Sequence, residues 1–235
     1  MNKQDNNSII DSMFKAGAHF GFSKTRRHPS VSPYIFGVKN KVEIFDLEKT
    51  SELLEKAKAF AATLGKEGKT ILFVGGKSEA RNATKIGALS VNMPYVDGRW
   101  IGGTLTNFVQ IRKRVEKLER LTSEREKGEL AKYTKKERLL IDREIANLER
   151  FFSGVVSMKE LPKAIFIIDP KKEKTALKEA QEIGIPVIAI AGSDCNIKSI
   201  QYPIVGNDSS QTSIQFLTQE ITKAYFNSKT EVKKA

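Results

Sequence analysis

The sequence predicts an α/β fold: a doubly wound, five-stranded parallel sheet interrupted by an α-helical, coiled-coil-like hairpin. Three observations predict it. Short apolar runs recur along the chain, at Thr70–Val74 (TILFV), Met93–Val96, Ala164–Ile168 (AIFII), Pro186–Ile190 (PVIAI) and Tyr202–Val205, as strands covered on both faces require. Segments with helical spacing separate most of these runs, which makes successive strands parallel. Between the second and third runs lies a long, highly charged stretch with two narrow apolar seams.

Taken in order, residues 1–7 are polar and expected to be loose. Ile9, Ile10, Met13 and Phe14 fall at helical spacing over Ser8–Ala16, with Ser8 as cap and Gly17 as stop. The next stretch, AHFGFSKTRRHPSVSPYIFG, is rich in Gly, Ser and Pro and reads as loop. Tyr34–Val38 and Val42–Phe45 read as a β-hairpin turning near Asn40. Asp46 caps a helix to about Leu64, closed by Gly65 and Gly68. After Thr70–Val74 the sequence Gly75-Gly76-Lys77-Ser78 opens a helix to Ser90.

Met93–Phe108 (MPYVDGRWIGGTLTNF) is the stretch around which the chain is organised. A strand leads into Arg99, Trp100 and the flexible pair Gly102-Gly103, and Thr104 is placed to cap a helix from Leu105. Phe108, Ile111, Val115 and Leu118 form one seam, and Ile141, Ile145, Leu148 and Phe152 a matching one. Gly128 permits the antiparallel return. Lys171–Ile183 is a helix ended by Gly184, and a last helix runs from Ser209 to Phe226. The predicted organisation is a first half of the α/β domain over 1–104, a hairpin arm over 105–153, the second half over 154–228, and a basic tail over 229–235.

Charge narrows the function. Lys and Arg number 40 against 28 Asp and Glu, a formal charge of +12 that suits a polyanionic partner, nucleic acid first. Between Gly21 and Val42 the basic residues Lys24, Arg26, Arg27, Lys39 and Lys41 are uninterrupted by any acid, with Phe20, Phe22, Tyr34 and Phe36 among them. Cations neutralise phosphates and rings stack on unpaired bases, so this loop suits RNA. Arg26 and Arg27 are the expected contacts there; Tyr34 and Phe36 are expected in the core. Cys195 is the single cysteine, so no disulfide forms within the chain, and a buried structural role is expected for it. The N-terminal residues carry no apolar signal segment, and no run approaches a membrane span, so a soluble cytoplasmic protein is expected.

Catalytic patterns are missing from the sequence. Gly76-Lys77-Ser78 resembles the end of a phosphate loop, but the Gly required five positions before Gly76 is Ile71, inside the strand. The amides there, with Lys77 alongside, are instead expected to suit an RNA phosphate. His19 and His28 lack metal-ligand spacing, and no nucleophile elbow is present. Asp169 and Asp194 sit at strand ends, where a Rossmann-like enzyme would place acids; helix capping is the competing reading.

The motifs AGAHFG (16–21), TRR (25–27), PYIFG (33–37), RWIGGTLTNF (99–108), IDPKKEK (168–174), GIPVIAI (184–190) and YPIVGND (202–208) resemble the bacterial small-subunit ribosomal protein number two, the S-two family. The resemblance spans Ser8 to Phe226. It implies a flavodoxin-like sheet in the order 2-1-3-4-5 with a protruding α-hairpin. It implies a structural role on the solvent side of the small ribosomal subunit, without catalysis, cofactor or metal, and not as a homo-oligomer. The implied partners are small-subunit ribosomal RNA and neighbouring ribosomal proteins, including the multi-OB-fold protein that captures messenger RNA. The expected RNA-binding residues are Lys24, Arg26, Arg27, Lys77, Arg99, Lys171 and Lys172.

Overall fold

The structure, a computed structural model, describes the backbone of residues 3–234 and the side chains of residues 8–230. Helix α1 (Lys3–Lys15) begins earlier than the apolar spacing predicts. The segment expected to be loop contains strand β1 (Phe20–Ser23) and two 3-10 turns, Lys24–Arg26 and Pro29–Tyr34. The hairpin forms as predicted from β2 (Ile35–Lys39) and β3 (Val42–Phe45). Its turn residues Asn40 and Lys41 have φ of 52° and 65°, the left-handed pair that matches the twist of a two-residue hairpin. Strand β1 exists because β3 offers a partner: Phe20 lies opposite Ile44 and Ser23 opposite Val42. Phe36, expected in the core, is instead 81% exposed, because the β2–β3 register shifts between Ile35 and Gly37. Tyr34 is half-buried against Val31 and Phe45.

Asp46 caps helix α2 (Leu47–Lys66), its carboxylate accepting the amides of Glu48 at 3.1 Å and Lys49 at 3.5 Å. Gly65 is not the cap the sequence suggests. It is buried inside the helix, where a Cβ would collide with the carbonyl of Tyr225, so glycine there is a packing requirement. Gly68, at φ +63°, makes the turn. Strand β4 (Ile71–Val74), helix α3 (Ser78–Ser90) and the short strand β5 (Tyr95–Val96) follow. Then come α4 (Phe108–Glu126), α5 (Lys135–Phe152), β6 (Ala164–Ile168), α6 (Lys174–Ile183), β7 (Val187–Ala191), β8 (Tyr202–Val205) and α7 (Gln211–Lys234). Gly184 caps α6 at φ +77°, as predicted. As far as Lys234, the basic tail is a continuation of α7.

The large sheet is parallel throughout, in the order β5-β4-β6-β7-β8. Numbered within that sheet this is 2-1-3-4-5, as the resemblance implies. Alternate strand residues feed two cores. Ile71, Phe73, Phe166, Ile168, Ile188 and Ile190 face α2, α3 and α7. Leu72, Val74, Ile165, Ile167, Val187 and Ala189 face α6 and the base of the α4–α5 hairpin. Each fully buried aliphatic or Phe side chain contributes about 1.5–3 kcal/mol, so the sheet is the rigid part of the molecule. A third, smaller cluster, Val31, Phe45, Leu53, Ala191, Cys195, Ile197 and Val205, ties the three-stranded sheet to the end of β7 and β8.

The arm is held along its seams. Ile111, Val115, Leu118 and Leu121 of α4 are buried with Ile145, Leu148 and Phe152 of α5. Ion pairs Lys117–Glu144 and Arg125–Glu149 cross between the helices. Thr134 and Glu137 close a capping box at the start of α5, and Gly128 turns at φ +73°. No helix among the described residues is long and apolar enough to cross a membrane.

Candidate nucleic-acid interface

In an open α/β sheet the strand order reverses beside the first strand, and ligands enter the crevice at the carboxyl ends there. In this chain that crevice lies between β4 and β6, and the protein's own groups fill it. The Gly76 amide donates to Glu173 Oε1 at 3.3 Å, and a Cβ on Gly76 would collide with the Gly98 carbonyl. Lys77 Nζ donates to Asp169 Oδ2 (3.2 Å), the Asp208 carbonyl (3.0 Å) and Ser209 Oγ (3.2 Å). Lys77, expected beside an RNA phosphate, is therefore turned inward, with 14% of its side chain exposed.

Its ammonium answers a cluster of acids. Burial pushes the Asp208 carboxyl up to about 7, the charge on Asp169 adds to this, and Lys77 opposes it. Burial likewise raises Glu173, against the Gly76 hydrogen bond. The Cys195 thiol is raised chiefly by burial, then by Asp208 and Asp169, so it stays protonated as a small core residue. Asp169 itself has φ +61° and turns the chain so that its carbonyl and Oδ1 both accept the Lys172 amide, each at 3.1 Å.

The basic loop is stitched over this edge. The Phe22 amide donates to Ser193 Oγ (2.9 Å) and the His28 amide to the Ser193 carbonyl (2.8 Å). Ser30 Oγ donates to the Cys195 carbonyl and accepts the Ile197 amide. Arg27 turns inward to Glu43 at 3.3 Å. Lys24 and Arg26 point outward, and the Arg26 guanidinium lies 5.8 Å from the centre of the Phe22 ring, within cation–π range. Lys171 and Lys172 are exposed on the turn after β6. A hydrogen bond from Lys171 Nζ to Asp194 (2.8 Å) raises the lysine's pKa, and Arg26 is near enough to oppose that rise. The structure thus brings Arg26 and Lys171 to one edge.

Arg99 is exposed, while its neighbour Trp100 is turned inward. The anchor is Glu179 of α6, a residue the sequence reading missed. Its Oε1 accepts from Trp100 Nε1 (3.0 Å) and the Gly103 amide (2.9 Å), and its Oε2 from the amides of Leu105 (3.0 Å) and Thr106 (3.3 Å). Burial works against charge on Glu179, but these donors outweigh it and hold its pKa below the ordinary carboxylate value. The same bonds explain why α4 starts at Phe108 and not at Leu105: the amides of the expected first turn are directed at Glu179. Thr104 Oγ1 donates to the Ile101 carbonyl instead of capping the helix.

A family model described as ribosomal protein S2 matches residues 13–228. The chain belongs to this family. A small ribosomal subunit protein uS2 from Coprothermobacter proteolyticus is 41% identical over 215 residues, covering 92% of this chain and 80% of that protein. The uS2 of Sulfurimonas denitrificans is 41% identical over 212 residues, covering 90% of this chain and 82% of its own. That of Nitratiruptor sp. is 42% identical over 217 residues, covering 92% and 81%. The ribosomal protein S2 match takes in the basic loop, the Glu179-anchored loop, the arm and the filled crevice alike.

Proposed function

We propose that this chain is a structural constituent of the small ribosomal subunit that grips ribosomal RNA through phosphates. The contacts are Lys24, Arg26, Arg99, Lys171 and Lys172, all exposed. Arg27 and Lys77 serve behind that surface, paired to Glu43 and to Asp169. One observation carries the reading: Arg26, over the Phe22 ring, and Lys171, bonded to Asp194, are joined through the Phe22–Ser193 hydrogen bond at an edge whose ligand crevice is filled by Lys77, Glu173 and the Gly98 carbonyl. With its crevice occupied by its own side chains, the sheet serves as a scaffold and not as an enzyme. Family membership supports neighbouring ribosomal proteins as partners, among them the multi-OB-fold protein, and a place in the cytoplasmic ribosome as one copy, not a homo-oligomer.

Binding of small-subunit ribosomal RNA should weaken steeply with salt. The Lys24→Ala, Arg26→Ala variant should reduce the log–log slope by about 0.7–0.9 per lost phosphate contact. Unchanged affinity and slope in that variant would remove these residues from the interface. The arm has a separate reading as a protein-docking element, favoured by Leu139 and Leu140, which are 51% and 54% exposed near its tip. Deleting 111–150 should then abolish assembly into subunits while RNA affinity persists.

A further inference from the structure

Glu43 is fully buried on the inward side of β3, and neither of its carboxylate oxygens has a hydrogen-bond partner among the described residues. Arg27 lies within ion-pair distance at 3.3 Å but out of hydrogen-bond alignment. A buried carboxylate held by a single cation is costly, and the cost rises sharply if that cation leaves. Arg27 is the last basic residue of the loop that carries Lys24 and Arg26. Gly21, at the other end, is wedged so closely that a Cβ would stand 3.2–3.3 Å from Phe45, the Glu43 carbonyl and Ser193 Oγ.

We propose that Glu43 is a positioning residue for RNA binding. It draws Arg27 inward, and Arg27 fixes the 22–28 loop so that Lys24 and Arg26 face outward before RNA arrives. The inference rests on the RNA-binding reading above. An ordered loop binds without a further entropic cost; a loosened one must be ordered on binding. Ser193 acts in the same way, through the amides of Phe22 and His28.

The test uses the full chain and small-subunit ribosomal RNA. Glu43→Gln should bind about tenfold more weakly, roughly the ordering cost of one residue, with the salt slope unchanged because no phosphate contact is lost. Amide exchange at Phe22 and His28 should quicken while that of Ile165–Ile168 stays as in the parent chain. A Glu43→Gln, Arg27→Gln double variant should lose no more affinity than Arg27→Gln alone. Ser193→Ala removes the acceptor of the Phe22 amide and keeps that of His28, so it should quicken exchange at Phe22 and weaken binding with the salt slope unchanged; it decides the question if Glu43→Gln does not fold. Parent-like affinity, or unchanged exchange at Phe22 and His28, would overturn the inference. If the parent chain shows no salt-dependent binding and Lys24→Ala, Arg26→Ala changes nothing, the RNA-binding reading fails instead.

Discussion

Two loops at the edge of the large sheet are each anchored by a buried acid, and the acids are treated in opposite ways. Glu179 receives the indole of Trp100 and three backbone amides, so its charge is satisfied by groups that cannot leave without unfolding the loop. Among the described residues Glu43 is met by Arg27 alone, whose side chain is 28% exposed and can reach water. The first arrangement builds stability into the fold. The second stores a penalty that one side chain relieves, which suits a surface that must be held ready.

The largest effect should come from Glu179→Ala, which strands an indole and three amides. We expect a loss of about 3–5 kcal/mol in urea unfolding, with a red shift of the Trp100 emission. A cost no greater than that of Glu43→Gln would break the comparison.

Asp208 sharpens it as a third buried acid. Its folded pKa is raised from 3.8 to about 7, so the folded state holds its proton more tightly. Its contribution to stability therefore declines as pH rises through that window, and Asp208→Asn should remove a slope worth on the order of 2 kcal/mol between pH 5 and 8. Glu179 has the opposite sign. Its pKa is lowered from 4.5, so its contribution is present above that value and lost as pH falls through the folded one. Acid titration followed by Trp100 emission should report that loss.

Glu43→Gln should change global stability by less than about 1 kcal/mol in urea, because Arg27 swings out to water. The smallest effect should be at the hairpin turn that carries Glu43. Lys41 sits at φ +65°, and Lys41→Gly should raise the melting temperature slightly, by the equivalent of about 0.5–1 kcal/mol.

What could be read from sequence was local. Apolar runs announced all five parallel strands, Asp46 and Gly184 announced their caps, and paired seams announced the arm, because each signal acts within a turn or two of itself. Phe20–Ser23 looked like loop because its strand character belongs to β3. Gly65 looked like a helix stop because Tyr225, which forbids a Cβ there, lies in the last helix. Lys77 looked like a phosphate ligand because Asp169 and Asp208 arrive from the ends of distant strands. The exposed cations of the proposed interface were legible as composition; Glu179 and Glu43, buried beneath the loops, were not. Each meets its partners only once the chain has folded.

The contact between Gly65 and Tyr225 also sets a timetable for synthesis. Helix α2 is synthesised well before its partner, for the surface that Leu54, Ala57 and Ala61 are shaped to meet is supplied by Ile214, Leu217 and Ile221 of α7. A nascent chain halted before Gln211 leaves that oily flank of α2 bare, open to chaperones and proteases. Only a chain read past Ile221 can close over it, so the fold itself screens out copies halted short of that helix.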